Sequence, residues 1–230
     1  DAVIASGATK VVIATLDPNP LVSGRGVQLL EHAGIEVEIG LLENEAKALN
    51  RGFIKRMQTG LPFVTSKIAM SLDGKTAMAN GESQWITSEA ARVDVHKLRR
   101  DNQAILTGSG TVLKDNPSLT ARLPESSITP LRVIIDSNNQ ITDKNLNVFS
   151  NDAQTLVINN DNCNSSVNGK VDLKAALLKL GELGINTVLI EAGSGLNGAL
   201  QQAGLIDELV IYTAPVLLGS DATSMMQLPI

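Results

Sequence analysis

Apolar positions along the chain switch between two spacings. Short runs of β-branched and aliphatic residues, at 11–15, 63–70, 104–106, 132–136, 155–158, 187–190 and 208–212, read as strands. Between them, apolar side chains recur every three or four residues. One such stretch runs from about Gly24 to Ala33 and is closed by Gly34; another carries Ala46, Leu49, Phe53 and Met57 up to Gly60. A third starts at Thr87 or Ser88 and buries Ala91, Val95 and Leu98. The last two are Leu173, Ala176, Leu177, Leu180 and Leu183 ending at Gly184, and about Leu196 to Ala203. Strands that are apolar throughout, alternating with helices, predict an α/β fold: a largely parallel sheet with helices on both faces.

The first sixty residues follow the same rhythm but run out of strands. After residues 11–15, Asp17-Pro18-Asn19-Pro20 forbids either ladder or helix from continuing, and residues 35–39 give an alternating strand. A β-α-β-α segment of that size has too few strands for a core of its own. Gly60-Leu61-Pro62 is the expected boundary, with one unit at 1–60 and another at 61–230. In the second unit Asp73-Gly74 suits a tight turn with positive φ. No internal repeat is evident.

Composition narrows the partners. With 43% hydrophobic residues in 230, there is enough apolar side chain for a real core. A net charge of −5 and only 2% aromatic residues argue against a nucleic-acid surface, since both phosphate attraction and base stacking are undersupplied. No apolar stretch reaches membrane-spanning length and no basic leader opens the chain, so no membrane partner is expected. The lone Cys163 fits a reducing cytoplasm. A start at Asp1 rather than Met leads us to expect a piece of a longer chain. His32, His96 and Cys163 fall in no metal-ligand spacing, and no G-x-S-x-G elbow is present, so neither zinc nor a serine nucleophile is expected.

What remains is ligand positioning. Gly193-Ser-Gly-Leu-Asn-Gly198 follows a strand and opens a helix, as an anion-cradling loop would. It spells the dinucleotide fingerprint, but too little chain follows for a doubly wound domain and Asp207 begins a strand instead of ending one, so that fold is rejected and the anion loop kept. Gly108-Ser-Gly110-Thr111 is a second such loop. In a parallel sheet both would sit at the carboxyl edge, either as phosphate cradles or as tight strand-to-helix turns. Arg92, His96, Lys97, Arg99, Arg100, Lys114 and Arg122 make a basic interval in an acidic chain, mostly a solvated surface with one or two members left for ligand. Asp115 before a proline turn and Glu191 after a strand could bind, transfer protons or anchor backbone. Trp85 reads as packing or as a flat wall for a ring.

Taken in register, these phrases resemble the bifunctional riboflavin-biosynthesis deaminase/reductase family. The matching segments are Asp17-Pro-Asn-Pro-Leu-Val-Ser-Gly-Arg-Gly26, Ala33-Gly-Ile-Glu-Val37, Lys67-Ile-Ala-Met-Ser-Leu-Asp-Gly74, Gly81-Glu-Ser-Gln-Trp-Ile-Thr87, Ile105-Leu-Thr-Gly-Ser-Gly-Thr111, Asp115-Asn-Pro-Ser-Leu119, Val133-Ile-Ile-Asp-Ser137, Ile190-Glu-Ala-Gly193 and Ala214-Pro-Val-Leu-Leu-Gly219. The resemblance implies a dihydrofolate-reductase-like reductase domain over 61–230, short at its C-terminal end. It also implies that residues 1–60 are the C-terminal part of a cytidine-deaminase-like domain, a partial α/β segment without the zinc ligands that precede it in the family. Deamination is then not expected of this chain. The implied reaction is reduction of the ribosyl group of 5-amino-6-(5-phosphoribosylamino)uracil to a ribityl chain, with NADPH as cofactor.

Carried over position by position, the resemblance places cofactor near Met70, Trp85, Thr111, Asp115, Ser137 and the loop Gly193, Ser194, Gly195, Leu196, Asn197, Gly198 and Ala199. It places substrate near Ser83, Arg99, Leu119, Arg122 and Glu191, with Lys67, Asp115 and Glu191 as the candidates for proton handling. A small phosphorylated molecule is the expected partner, acted on by a homo-oligomer. Two other readings stand beside it: a pterin- or folate-type reductase on the same fold, and a non-catalytic nucleotide-binding module.

Overall fold

The computed structural model describes residues 1–83, 88–123, 128–163 and 165–228 and divides the chain into two units, Asp1–Leu61 and Pro62–Ile230. The first holds α1 (Ala2–Ala5), β1 (Lys10–Ile13), α2 (Arg25–His32), β2 (Glu36–Ile39), α3 (Glu43–Leu49) and α4 (Arg51–Thr59). β1 and β2 pair in parallel with α2 as the crossover. Gly34, at φ 78°, takes the left-handed turn that ends α2, and the Ile35 N–H then reaches back to the Leu30 carbonyl. The helical spacing from Ala46 to Gly60, read as one stretch, is two helices. Asn50 interrupts it, donating its side-chain amide to the Ala46 carbonyl at 2.9 Å, the local side-chain bond through which asparagine competes with helix. Ile35 is the buried apolar side chain of this unit.

The second unit runs β3 (Phe63–Ser71), β4 (Lys75–Ala77), α5 (Glu89–Arg100), β5 (Ala104–Gly108), α6 (Ser109–Asp115), β6 (Leu131–Ile135), β7 (Thr155–Ile158), β8 (Ser166–Val167), β9 (Lys170–Val171), α7 (Leu173–Glu182), β10 (Thr187–Ile190), α8 (Ser194–Gln202), β11 (Glu208–Ala214) and β12 (Thr223–Ser224). Six strands form one sheet in the order β11-β3-β10-β5-β6-β7, every neighbouring pair parallel. From β3 the chain steps through α5 and α6 towards β7. It then returns through α7 to insert β10 between β3 and β5, and through α8 to place β11 outside β3. Right-handed crossovers put α5 and α6 on one face and α7 and α8 on the other. Packing agrees: Leu98 and Val112 from the first pair of helices join Ile105, Ile134 and Leu189 in one cluster. Ala176, Leu177, Leu180 and Leu200 are buried among the helices of the other pair. Each such Leu or Ile contributes roughly 1.5–3 kcal/mol on burial, so a Leu189→Ala change would cost several.

This order is not that of a doubly wound dinucleotide fold, as the short run after Gly198 led us to expect. Asp207 accepts the Val64 N–H at 2.7 Å and donates its own N–H to the Val64 carbonyl at 2.9 Å, tying the start of β11 to β3. The Asp73-Gly74 turn does more than reverse the chain. Asp73 receives the Ser71 hydroxyl at 2.5 Å and the N–H groups of Leu218 and Gly219, clamping the strap after β11 against the end of β3.

Candidate active site

Glu191 follows the last residue of β10, and its N–H still extends the ladder to the Leu106 carbonyl at 3.0 Å. The side chain therefore leaves the sheet at the carboxyl edge, where an open α/β sheet presents its ligands. Arg99, from the last turn of α5, meets it edge-on: Nε lies 2.5 Å from Oε1 and Nη2 3.0 Å from Oε2. Lys67 comes from β3, whose Ser66 is in register with Ile190, and puts Nζ 3.2 Å from Oε2. All three side chains are largely buried, exposed by 17% for Lys67, 13% for Arg99 and 9% for Glu191.

Burial alone would push the Glu191 carboxyl up. The two cations and their hydrogen bonds outweigh it and hold its pKa at about 2, so Glu191 is ionised at any physiological pH. Burial likewise opposes the Arg99 charge, and the carboxylate more than restores it. Two positive groups share one negative one here, which leaves the cluster cationic.

The third Arg99 donor, Nη1, bonds the Thr120 carbonyl at 3.1 Å and draws the segment after α6 onto α5. His96, one turn earlier on α5, accepts the Arg122 N–H on Nδ1 at 3.2 Å. The Arg122 side chain stands exposed beyond this junction. Leu119 sits in the same segment at φ 47° with its side chain 2% exposed in the core beside Ile105 and Val112. The isobutyl group of Leu119 fills the core, so its main chain is the part left to face this segment's surroundings. On the other side of β3, Tyr212 of β11 donates to Asp94 of α5 at 2.7 Å, a cross-brace the sequence reading did not find. Burial, then Asp94, raises its pKa.

The two glycine loops lie side by side on the neighbouring strands β5 and β10. A side chain built at Gly108 would touch Leu196, and one at Gly193 would approach Thr111. Gly108 and Gly193 are the N-caps of α6 and α8 and neither makes a side-chain cap bond, so main-chain donors of both starts lie at the carboxyl edge, a donor type that suits the phosphates of a dinucleotide, with Gln227 packed against the first turn of α8. Within the Gly193 loop the members separate. Asn197 turns inward, accepting from the Ser66 hydroxyl and donating to the Ala192 carbonyl, both at 2.8 Å. Gly198 lies under Gln227: a Cβ there would fall 2.1 Å from its carbonyl oxygen, so the chain itself requires that glycine. Neither the Asn197 side chain nor the bare Cα of Gly198 is offered to a ligand. Leu196 and Ala199 belong to the first turns of α8, while Ser194 and Gly195 open it.

Ser137 spends its hydroxyl on the Val171 N–H at 3.0 Å, holding the β8–β9 hairpin. Asp115 ends α6 exposed, outside the hydrogen-bonded network of Lys67, Arg99 and Glu191. Met70, Ser83 and Thr111 are half-buried. Trp85 lies outside the described residues. Among those described, no group of three or more His, Cys, Asp or Glu side chains could hold a metal, and no helix is long and apolar enough to cross a membrane. His96 was named in the sequence only as part of the basic interval. Its i, i+3 spacing to Arg99 was the signal that both face one segment.

Residues 62–229 match the family model described as the RibD C-terminal domain. The chain belongs to the RibD C-terminal domain family. It is 44% identical to the riboflavin biosynthesis protein RibD of Escherichia coli K12, over 100% of this chain and 69% of that protein. The structure of Acinetobacter baumannii RibD in its second form superposes with a TM-score of 0.88 at 41% identity, covering 100% of this chain and 67% of that one. A Thermotoga maritima structure, titled a diaminohydroxyphosphoribosylaminopyrimidine deaminase/5-amino-6-(5-phosphoribosylamino)uracil reductase, gives 0.86 at 37% identity, covering 98% and 64%. The chain thus spans about two thirds of the length of these RibD relatives. The RibD C-terminal domain is the reductase of riboflavin biosynthesis, an oxidoreductase, and the six-stranded parallel sheet has the dihydrofolate-reductase-like organisation expected of it.

Proposed function

We propose that the unit from Pro62 reduces the ribosyl group of 5-amino-6-(5-phosphoribosylamino)uracil to the ribityl chain with NADPH. The observation that carries this reading is the Lys67–Glu191–Arg99 cluster, set at the carboxyl edge beside two helix starts without side-chain caps. Bound there, the reduced nicotinamide would supply a hydride to C1′ of the ring-opened sugar. The cofactor would lie along the Gly108 and Gly193 loops, bordered by Met70, Trp85, Thr111, Asp115 and Ser137. Their main-chain N–H groups suit its phosphates better than their side chains do.

The chain's own residues then divide the work on substrate. Hydride addition needs a proton at the sugar oxygen released on ring opening. Glu191 cannot supply it, because its carboxyl is held ionised. Its oxygens can accept hydrogen bonds from sugar hydroxyls. Lys67 makes one contact to Glu191 and has further N–H donors, so its ammonium is the group we assign to hold the proton at that oxygen. Arg99 fixes Glu191 in place. Arg122 meets the phosphate with a planar fork, with Ser83 and the main chain at Leu119 completing the substrate's surroundings. Residues 1–60 we assign to the C-terminal part of a cytidine-deaminase-like domain, whose zinc belongs to the rest of that domain, in a homo-oligomeric cytoplasmic enzyme.

The test is NADPH oxidation by the purified chain with the phosphoribosylaminouracil as substrate, dihydrofolate and a dihydropterin serving as controls. Turnover confined to the uracil is expected. Turnover confined to the pterin or folate, or NADPH binding without any turnover, would replace this reading.

A further inference from the structure

We propose that His96 is a positioning residue for the phosphate-binding arginine: its unprotonated Nδ1 accepts the Arg122 main-chain N–H and so sets where that side chain stands beside Arg99. The inference rests on the reading that Arg122 meets the substrate phosphate. The segment after α6 is fastened to α5 by two side chains one turn apart. Arg99 donates to the Thr120 carbonyl and His96 accepts from the Arg122 N–H. These bonds fix the main chain on both sides of residue 121, and the exposed Arg122 fork inherits its origin from them. Three positions earlier, Leu119 anchors the same segment in the core.

The bond also fixes the chemistry of the ring. A main-chain N–H can be accepted only by a bare nitrogen, so the imidazole is neutral with its proton on Nε2. Protonation would put an N–H against an N–H and break the fastening. The charged groups facing His96 are Arg99 on its own helix, Arg122 from the segment after α6, and Glu191 from the end of β10. The two arginines oppose a further positive charge. Glu191, already engaged by Arg99 and Lys67, favours one less effectively, as does the Thr120 carbonyl. Burial is the largest cause, and it moves the pKa of His96 below the ordinary 6.5. The fastening is therefore intact above pH 6.5 and is lost as pH falls below that value through the site's own pKa.

The chain's other histidine supplies the contrast. His32 places Nδ1 2.6 Å from the Gln28 carbonyl, an acceptor, so there Nδ1 must carry the proton. Nitrogen-15 spectra of the imidazoles in the intact chain, at about pH 7.5, should then show two opposite tautomers, assigned with a His32→Gln variant. A bare Nδ1 on His96 supports the proposal; a protonated Nδ1 overturns it, and this readout needs no turnover.

In the reductase assay, His96→Ala should raise KM for the phosphorylated substrate about five- to tenfold with kcat within about twofold, the worth of one hydrogen bond. His96→Asn keeps an acceptor near the Nδ1 position and should recover most of the loss. It should also reduce the expected rise of KM on acidification to the part that protonation of the substrate phosphate itself causes at about pH 6. A fall in kcat at unchanged KM, or an acid rise of KM no smaller in His96→Asn than in the unsubstituted chain, would overturn the proposal. No turnover by the unsubstituted chain would count against the reductase reading, leaving the tautomer to decide His96.

Discussion

Two buried arginines, one on a helix and one on a strand of the same unit, are treated in opposite ways. Arg132 enters β6 near its amino end and is 0% exposed, yet among the described residues it bonds no carboxylate. Its Nη1 donates to the carbonyls of Val148 and Ser150 at 2.7 and 3.1 Å, and Nη2 to the Ser150 hydroxyl, which in turn donates to Asp152. Burial lowers its pKa, with Asp152 working against the shift. Arg99 sits at the opposite edge, on a carboxylate it shares with a lysine. Neutral carbonyls spread around a guanidinium hold a loop in place, although the Arg132 Nε is buried without a partner among the described residues. Two cations converging on one carboxylate leave net positive charge and unspent donors at a place where a ligand can reach them. Neither burial of a charge nor an unspent donor marks a site by itself; a surplus of charge at an edge that a ligand can reach does.

The comparison breaks most visibly at Glu191. Glu191→Gln keeps the shape and removes the negative charge, leaving Lys67 and Arg99 without their common partner. We expect kcat to fall on the order of 100-fold, what misplacing Lys67 and the sugar is worth, with NADPH affinity within about threefold. If NADPH binding were lost and turnover at saturating cofactor survived, the cluster would belong to the cofactor and not to the sugar.

Arg132→Met should do the reverse. It fills the space and withdraws the donors, leaving the Ser150 carbonyl and hydroxyl without their guanidinium and the Val148 carbonyl with the Thr155 hydroxyl alone. A loss of about 3 kcal/mol is expected, measured by urea unfolding, while KM for both ligands changes by less than about twofold. A large KM change with stability intact would erase the distinction between the two arginines.

Arg132 also shows where the sequence stops being legible. Strand 187–190 and strand 155–158 were read to the residue, since apolar runs bounded by turn residues carry that information locally. The start of α5 at Ser88 was legible too: its hydroxyl accepts the Ala91 N–H, as a capping serine should. An arginine opening an apolar run gave no hint of its acceptors, because they are carbonyls sixteen and eighteen residues on, in a loop whose path depends on the rest of the fold. The β8–β9 hairpin was missed although Asn168-Gly169 spells its turn, since strands of two residues have no period to detect. The wiring of the candidate site was not legible. Glu191, Lys67 and Arg99 were each singled out, but that they share one carboxylate follows from β10 being inserted beside β3, a pairing across more than a hundred residues.

A smaller effect sharpens the contrast at the edge itself. Arg122→Ala removes an exposed fork, one whose side chain makes no hydrogen bond or ion pair among the described residues, so unfolding should change by less than about 0.5 kcal/mol. KM for the phosphorylated substrate should rise roughly 30-fold, about what a charge-assisted contact supplies, and KM for its dephosphorylated analogue should barely move. Equal losses for both would take the phosphate away from Arg122.

Asp73 is the anionic counterpart of Arg132 and gives the smallest effect. It too is satisfied within its own chain, by the Ser71 hydroxyl and the N–H groups of Gly219 and Leu218, and these bonds, in that order, hold its pKa at about 2 against an ordinary 3.8. A carboxyl depressed in the folded state adds stability that is complete above the unfolded value and disappears as pH falls through the folded one. The contribution of Asp73 is thus present above about pH 4 and gone by about pH 2. Asp73→Asn should unfold at slightly lower urea than the unsubstituted chain at neutral pH, and the two curves should draw together as pH is lowered through that window. Because the clamp holds a strap and leaves no charge over for a ligand, KM for substrate and cofactor should stay within about twofold. Were Asp73→Asn instead to change either KM strongly at neutral pH while the acid limb stayed the same, Asp73 would have to be moved to the side of the comparison that Glu191 occupies.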